Sequence, residues 1–416
     1  MKRQKLVSVF CATALFALLQ TATVFAAGWT TNSQGQWIYL DNNGEKVYDE
    51  WRKDASGQNY YYLNHNGVMA TNTLVDGIYY VDSNGVMVRN SWQRIQDDDW
   101  DGELSWYYFA DSGKAVESGW KTINGQRYFF DDYKMKTGWM EYNDATYYFD
   151  DSGSMAEGWR YLYPSDEDSW NEEYWYYFAN NGKMSASKEQ KINGSYYLFD
   201  GQGRMLSGWA NPSNFTCSYF DNLRDAQNID SLRYYKESGA QASGWVYTMT
   251  PDGFDEGWYY LRDGRAYSPN YRTTKLDNTY CVAKIDGKVY CFDNTGLMMT
   301  DLVETSDGRI FYFEEDGRMA TGDVTIDGEK FYMDTSGKLG SLGSAYTGVK
   351  NGYLYENGVR VTADDGSKYE IKTVEGKQYL VNENGKIKTS GTAKDSYGTK
   401  YTVKKNGSNG YIITTE

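Results

Sequence analysis

The chain has 416 residues, of which 17% are aromatic, and it contains 41 Tyr, 14 Trp and 43 Gly but only 4 Pro. This composition excludes an intrinsically disordered chain, which is poor in aromatic residues, and favours many short strands joined by glycine turns. The formal net charge of -15 makes nucleic acid a poor electrostatic partner.

Residues 1–26 are predicted to be an export signal. Residues 2–5 form a basic head, residues 6–19 form an apolar stretch too short to span a membrane, and small residues follow. We therefore expect a mature chain that begins at residue 27 or 28, is more acidic than the full sequence, and has no membrane insertion after the signal is removed. The expected location is outside the cell, in non-covalent association with a Gram-positive-type cell wall or cell surface.

One sequence motif recurs from residue 27 to residue 339. It consists of Gly-Trp, a polar loop, an aromatic cluster, and a polar turn that contains Gly and often a Met two residues later. Gly138 and Trp139, for example, lead to the aromatic cluster 147–149 and then to Gly153 and Met155. With degenerate copies included, about fourteen units follow one another at a period of about 20 residues, a spacing typical of solenoid repeats.

Each unit is predicted to form one β-hairpin, because Trp, Tyr and Phe favour strands while the Gly-containing polar turns favour chain reversal. A lone hairpin is marginally stable in water, so each one must bury its aromatic face against its neighbours. The predicted fold class is all-β, a solenoid of stacked β-hairpins over residues 27–339. Residues 340–416 lack Trp, are richer in Lys, and are interpreted as a divergent β-rich repeat segment or a small cap.

Four insertions interrupt the period and are expected to be loops. They lie at residues 96–104, 163–174, 211–231 and 269–279. The first two are strongly acidic, and insertions of this kind in a solenoid tend to project from one face, where binding often occurs.

The first insertion contains a partial calcium pattern. Asp97, Asp99 and Asp101 alternate as in the first half of a calcium-binding loop, but Tyr108 stands where a bidentate Glu would complete it. Calcium is therefore one interpretation of this segment, and a solvated acidic loop is the other. No other cofactor is expected.

Two cysteines flank a predicted hairpin turn. Cys281 and Cys291 lie symmetrically about residues 285–287, so a hairpin that reverses there would place them opposite each other, where an exported protein could oxidise them to a disulfide. Buried or free thiols are the alternative.

No catalytic set can be assembled from the sequence, so we expect a protein that is not an enzyme. His65 is the only histidine and lies in a predicted exposed turn at residues 64–67. The numerous carboxylates fall in turns and charged insertions, where a solvated pair is the ordinary outcome.

The Gly-Trp, Trp-Tyr-Tyr-Phe and Gly-x-Met elements resemble the choline-binding, or cell-wall-binding, repeats of Gram-positive surface proteins and autolysins. They are also similar to the glucan-binding repeats of glucansucrases. In proteins of this kind, a trimethylammonium group lies between consecutive hairpins in a cage of two Trp and one Tyr. A quaternary ammonium cannot donate a hydrogen bond, so its recognition depends on the negative faces of aromatic rings.

The resemblance implies two well-matched cages, one formed by Trp37, Trp51 and Tyr61 and the other by Trp106, Trp120 and the aromatic ring of Tyr128 or Phe129. It also implies partial cages elsewhere. Their ligand-binding residues would be Trp92, Tyr107, Trp139, Tyr147, Trp159, Trp175, Tyr176, Trp209 and Trp245. The family's second Trp is replaced in three units, by Arg127, Thr146 and Leu232. For every such ring, packing between hairpins is the alternative role.

The function that the resemblance implies is non-covalent binding at the cell surface. The chain would recognise choline-bearing teichoic acid or a related cell-wall polymer through several weak aromatic clefts that act together on one repeating ligand. Two alternatives remain open. One is a glucan-binding protein, and the other is an adhesin that binds a partner protein through the acidic insertions and the Lys-bearing tail.

Overall fold

A computed structural model describes residues 27–96, 104–165, 172–217, 229–407 and 410–416 of the chain. These residues form antiparallel β-hairpins, and the short 3-10 helix Ile229–Ser231 lies between two strands of the second half of the chain. The chain divides into two compact units, Met1–Ala156 and Glu157–Glu416. None of the described residues belongs to a helix that is long and apolar enough to cross a membrane.

The first unit is built from β-hairpins of three to six residues per strand, and one hairpin carries an additional two-residue strand. Its strands are β1 Gly28–Thr31, β2 Trp37–Leu40, β3 Glu50–Lys53, β4 Tyr60–Leu63, β5 Thr73–Val75, β6 Tyr79–Val81, β7 Ser91–Gln96, β8 Leu104–Phe109, β9 Gly119–Ile123, β10 Gln126–Asp131, β11 Lys134–Met135, β12 Gly138–Tyr142 and β13 Ala145–Phe149.

The second unit repeats the same architecture. Its strands are β14 Gly158–Leu162, β15 Tyr174–Phe178, β16 Lys188–Ile192, β17 Ser195–Phe199, β18 Gly208–Asn211, β19 Thr216–Cys217, β20 Arg233–Tyr235, β21 Gly244–Met249, β22 Glu256–Arg262, β23 Arg265–Ala266, β24 Thr274–Lys275, β25 Cys281–Ile285, β26 Lys288–Phe292, β27 Asp301–Glu304, β28 Ile310–Phe313, β29 Gly322–Ile326, β30 Glu329–Met333, β31 Gly348–Lys350, β32 Tyr353–Glu356, β33 Val359–Arg360, β34 Tyr369–Val374, β35 Lys377–Asn382, β36 Gly391–Lys394, β37 Lys400–Lys405 and β38 Tyr411–Thr415.

A side-chain-capped turn follows the second strand of the repeat. After β13, the Asp150 carboxylate accepts hydrogen bonds from the backbone N–H groups of Ser152 and Ser154, at 2.9 and 3.1 Å. Gly153 takes the left-handed conformation that the turn requires, with φ of 77°. The turn returns the chain so that Met155 forms a β-bridge with the last residue of β13.

The residue that leaves this turn joins its hairpin to the preceding one. The backbone N–H of Met155 donates to the carbonyl of Arg127 at 2.8 Å. The same bond, at 2.7 to 2.9 Å, recurs between successive hairpins of each unit. Its other donor and acceptor pairs are Met69 and Trp37, Met87 and Tyr60, Ala115 and Ile78, Met205 and Trp175, Gln241 and Tyr196, Met298 and Trp258, Met319 and Val289, Ala345 and Ile310, and Ile387 and Gly352. We call the contact between two successive hairpins a seam.

The core is a thin layer of aromatic side chains along the seams. Successive residues of a strand face opposite sides, so Tyr147 and Phe149 of β13 lie on the buried face and Tyr148 between them is half-buried. In seven hairpins a Phe at or next to the end of the second strand is fully buried, namely Phe109, Phe130, Phe149, Phe178, Phe199, Phe292 and Phe313. The predicted all-β stack of hairpins is therefore confirmed.

The stack continues past the predicted boundary at residue 339. A five-stranded sheet with the order β29-β30-β33-β32-β31 runs through residues 322–360. Two regular seam bonds, donated by Ala345 and Ile387, lie beyond that boundary. The C-terminal segment is β-rich, as predicted, and its hairpins repeat the contacts of the earlier ones.

The insertions are not all loops. The fourth contributes β24, which pairs with β25, and the third contributes β19 and the 3-10 helix Ile229–Ser231. Much of the first three insertions lies outside the described residues.

The structure corrects the predicted disulfide, since Cys281 and Cys291 are free and buried. The turn between β25 and β26 has two residues, so Cys281 stands opposite Phe292 and Cys291 opposite Val282. This one-residue offset places the two thiols on opposite faces of the hairpin. Burial raises the pKa of the Cys281 thiol to about 11 and also raises that of Cys291.

Candidate ligand-binding clefts

The tryptophan of a Gly-Trp pair bridges two successive hairpins. Trp159 of β14 lies 5.1 Å from Tyr177 of its own hairpin and 4.9 Å from Tyr197 of the next, and both contacts are edge-to-face. Other tryptophans contact rings at the same two positions, edge-to-face or tilted. With the ring of the same hairpin first, these are Trp29 with Tyr39 and Tyr61, Trp51 with Tyr62 and Tyr79, Trp92 with Tyr108 and Tyr128, Trp120 with Phe129 and Tyr147, Trp209 with Tyr234 and Tyr259, and Trp245 with Tyr260 and Tyr290. Each of these indoles therefore holds a seam together, since such ring pairs contribute about 1 kcal/mol beyond the area that they bury.

One hairpin of the second unit places a second tryptophan beside the first. Trp175 of β15 stands two residues before Tyr177, the cross-strand partner of Trp159, so both indoles project from the same face. Trp175 is 45% exposed and lies 6.3 Å from Trp159 at an interplanar angle of 86°. The two indoles form an open aromatic corner, and Tyr197 adds a third ring against Trp159. We call these three side chains the Trp159 cleft.

A second hairpin repeats this arrangement. Trp258 is 45% exposed and lies 6.4 Å from Trp245 at 83°, while Tyr290 of the next hairpin lies 4.8 Å from Trp245. We call Trp245, Trp258 and Tyr290 the Trp245 cleft. An exposed tyrosine extends each corner along its strand, Tyr247 at 5.4 Å from Trp258 and Tyr161 in the corresponding place at 5.2 Å from Trp175.

The structure corrects the composition of the first predicted cage. Trp37, which is 36% exposed, shares its hairpin and its strand face with Trp29 and not with Trp51. Tyr61 lies against Trp29 at 5.2 Å. The rings at this seam are therefore Trp29, Trp37 and Tyr61, whereas Trp51 belongs to the following seam.

The second predicted cage changes in the same way. Trp106, which is 40% exposed, shares its hairpin with Trp92, and Tyr128 of the next hairpin lies 5.0 Å from Trp92. Trp120 belongs to the next seam. In both cases the two indoles come from one hairpin and the third ring comes from its successor.

Sequence reasoning missed four residues of these clefts, namely Trp29, Trp258, Tyr197 and Tyr290. The signal for two of them was present. Trp29 follows Gly28 at the start of the repeats, and Trp258 opens the same aromatic cluster as Trp175. Tyr197 and Tyr290 could be assigned only with knowledge of which ring of the next hairpin faces back across the seam.

Four of the hairpins that carry the first tryptophan lack the second indole. Tyr60 takes its position in the Trp51 hairpin, and the other three hairpins are those that the sequence indicated. Arg127, Thr146 and Leu232 occupy the position of the second indole in them. In the hairpin with Thr146, Trp139 keeps its contact with Tyr148 of the same hairpin, at 5.2 Å.

Four of the predicted ligand-binding residues lie in the core. Trp209 is 0% exposed, and its indole N–H donates to the carbonyl of Met249 at 3.0 Å. Tyr107, Tyr147 and Tyr176 are also buried. Tyr176 follows the exposed Trp175, and adjacent strand residues face opposite sides of a hairpin. These four side chains therefore pack within the stack.

Two seams have an acid at the position that tryptophan occupies in the Gly-Trp hairpins. The Tyr235 hydroxyl donates to the Glu189 carboxylate at 2.6 Å, and Gln241 donates to the same oxygen at 2.9 Å. Burial, and then the bond to Glu189, raise the pKa of the Tyr235 hydroxyl. Similarly, the Tyr355 hydroxyl donates to Asp323 at 3.0 Å. These seams are joined by hydrogen bonds and offer no indole at that position.

The calcium pattern of Asp97, Asp99 and Asp101 lies outside the described residues. Among the residues whose structure is described, no group of three His, Cys, Asp or Glu side chains is placed to hold a metal ion. His65 has a side chain that is 92% exposed, and its Nδ1 lies 3.6 Å from the Asp49 carboxylate.

Comparison with known families gives three matches along the repeats. Residues 51–87 and 136–188 match two models described as choline-binding repeat. Residues 27–46, 105–115, 118–132 and 190–205 match a putative cell wall binding repeat.

Two curated streptococcal proteins match about two thirds of the chain. Glucosyltransferase-I of Streptococcus downei is 28% identical over 63% of this chain, and glucosyltransferase-S of Streptococcus mutans is 26% identical over 65%. The matched regions span only 13% and 19% of those two proteins.

Solved structures from Streptococcus pneumoniae also resemble the chain. The modular autolysin LytC has 22% identity and a TM-score of 0.41, covering 66% of this chain and 52% of its own. The choline-binding domain of CbpL has 27% identity and a TM-score of 0.30, covering 44% of this chain and 98% of its own. The matched segments coincide with the Gly-Trp hairpins, and this part of the chain therefore consists of choline-binding, or cell-wall-binding, repeats.

Proposed function

We propose that the chain is a non-covalent cell-surface binding protein whose clefts hold the quaternary ammonium groups of a choline-bearing cell-wall polymer. The observation that carries the proposal is the pair of perpendicular, exposed indoles in the Trp159 and Trp245 clefts. A quaternary ammonium offers no hydrogen-bond donor, and the faces of two indoles and a phenol attract it by about 2 kcal/mol or more when water is displaced.

Several clefts must act together for useful affinity. A single cleft that contributes a few kcal/mol binds at about millimolar concentration or more weakly. A repeating polymer that occupies one cleft raises the effective concentration of its remaining groups at the others, which strengthens overall binding without new contacts. The repetition of seams along the chain fits a polymeric ligand better than a single small molecule.

The proposed activity is binding without catalysis. His65 is largely exposed in a turn, and turn carboxylates such as Asp150 are engaged in backbone hydrogen bonds. The proposed location is the cell surface after secretion, and the proposed partner is the wall polymer itself.

The test removes the exposed indole from both clefts. A Trp175→Ala, Trp258→Ala double variant should bind choline-derivatised resin and choline-bearing cell walls at least about tenfold more weakly than the natural chain, because each corner loses one wall. Tyr397→Ala removes an aromatic side chain that is 88% exposed and belongs to neither cleft, so it serves as the matched control. Equal binding by the double variant and the natural chain would refute the proposal.

A glucan is the second candidate ligand. Tyr161 and Tyr247 extend the two clefts with exposed rings, and flat aromatic faces stack on sugar rings as well as on organic cations. Competition separates the two ligands. Free choline should release the bound chain if the clefts recognise ammonium groups, whereas release by an α-glucan but not by choline would favour the sugar.

A further inference from the structure

The seam formed by Trp120 contains an aromatic site that differs from the Trp159 cleft at one side chain. Trp120 packs against Phe129 of its own hairpin at 5.3 Å and against Tyr147 and Tyr142 of the next hairpin at 5.0 and 6.3 Å. The rings on both sides of the seam therefore resemble those of the Trp159 cleft. The difference lies two residues before Phe129, at the position of the second indole, where this hairpin has Arg127.

The Arg127 side chain lies over the indole. Its guanidinium carbon is 4.5 Å from the centroid of the Trp120 ring, well inside the range of a cation–π contact. Arg127 stands opposite Thr122 on the neighbouring strand, and its carbonyl accepts the seam bond from Met155 at 2.8 Å. The backbone from which the arginine reaches the ring is thus fixed on both sides.

We infer that Arg127 occupies the Trp120 site as a tethered cation and closes this seam to quaternary ammonium ligands, an inference that rests on the proposed function. A guanidinium and a trimethylammonium group compete for the same face of the indole. The guanidinium is weakly hydrated for a cation, so it gives up little solvation there, and its tether gives it a high effective concentration. A free ligand must displace it before it can bind.

Arg127 therefore determines whether the Trp120 seam is available to an external cation. The Trp159 and Trp245 clefts present an indole where Trp120 has a cation, and they remain open to an external group. The same hairpin architecture thus yields binding seams and self-occupied seams through one side chain.

The test follows each indole N–H by NMR while choline is titrated into the natural chain and into Arg127→Gln. In the natural chain, the Trp159 and Trp245 signals should shift while the Trp120 signal does not. In Arg127→Gln, the Trp120 signal should also shift, with a midpoint within about tenfold of that for Trp159. Arg127→Trp, which supplies the missing indole, should give the same gain and serves if the glutamine variant folds poorly.

Arg262→Gln is the matched control, since it removes an exposed arginine of the second unit and should leave every midpoint unchanged. A shift of the Trp120 signal in the natural chain would overturn the inference while leaving the proposed function intact. So would a Trp120 signal that stays unresponsive in both Arg127 variants while the Trp159 and Trp245 signals respond. If no indole responded in any variant, the proposed function itself would fail.

Discussion

Two buried tyrosines of the second unit differ in whether the side-chain hydroxyl group has a hydrogen-bond partner. Tyr259 is fully buried against Trp209, and its hydroxyl has no hydrogen-bond partner among the described residues. Tyr235 is equally buried, but its hydroxyl donates to Glu189 at 2.6 Å. An unpaired buried hydroxyl costs about 1 to 3 kcal/mol, whereas a paired one stabilises the fold.

Tyr259→Phe should therefore raise the free energy of unfolding by about 1 kcal/mol, because it removes an unpaired polar group at almost constant volume. Tyr235→Phe is the matched control and should lower it by about 1 to 3 kcal/mol, since it deprives the part-buried Glu189 carboxylate of a donor. Denaturant unfolding followed by tryptophan fluorescence measures both changes. Destabilisation by Tyr259→Phe equal to that caused by Tyr235→Phe would contradict this account.

At the scale of the hairpin, each turn fits onto a side chain of the preceding one. A Cβ added at Gly153 would lie 2.2 Å from the Met135 sulfur. Other turn glycines, such as Gly203 and Gly317, meet the methionine of their own preceding hairpin in the same way. The recurring Met and Gly of the repeat are thus two halves of one contact. The flexible thioether fills the space that the missing side chain leaves.

Gly153→Ala should lower the free energy of unfolding by roughly 2 to 3 kcal/mol, through steric overlap with Met135 added to the strain of a φ of 77°. Gly125→Ala is the matched control, since its φ is 84° and an added Cβ there meets nothing within 4 Å. It should show the backbone strain alone, about 1 kcal/mol. Combining Gly153→Ala with Met135→Ala in a double-mutant cycle should recover part of the loss. Equal losses of stability in Gly153→Ala and Gly125→Ala would contradict the proposed contact between Gly153 and Met135.

The hairpins were predictable from the sequence because aromatic clusters and Gly turns recur at a fixed period. The pairing of side chains was not, because it depends on register. Trp37 and Trp51 are successive tryptophans in the sequence, yet Trp37 pairs with Thr31 and so lies on the same hairpin and the same face as Trp29. Likewise, a two-residue turn, instead of a turn centred on one residue, moves Cys281 and Cys291 to opposite faces.

At the scale of the whole molecule, the two units differ in the ionisable groups that they bury. The second unit holds Cys281, Cys291, Tyr235 and Tyr259 in its core, and burial raises the pKa of each, that of Cys281 from about 9 to about 11. In the first unit, the groups whose pKa burial clearly raises include Tyr61, Tyr62 and Tyr80, which ordinarily ionise only near pH 10.

The second unit should therefore lose stability first as the pH rises. Between about pH 9 and 11 the unfolded Cys281 thiol releases its proton while the folded one retains it, so the unfolded state is favoured increasingly and stability falls by about 3 kcal/mol across that range. Below pH 9 the thiol is protonated in both states and its contribution does not change.

Hydrogen exchange read by mass spectrometry at pH 8, 10 and 11 under reducing conditions, with correction for the intrinsic exchange rate, follows each unit separately. Cys281→Ala should make the dependence of the second unit between pH 9 and 11 less steep without affecting the first, because Cys291, Tyr235 and Tyr259 still contribute. An unchanged slope in that variant would show that the Cys281 thiol does not contribute to the alkaline loss of stability.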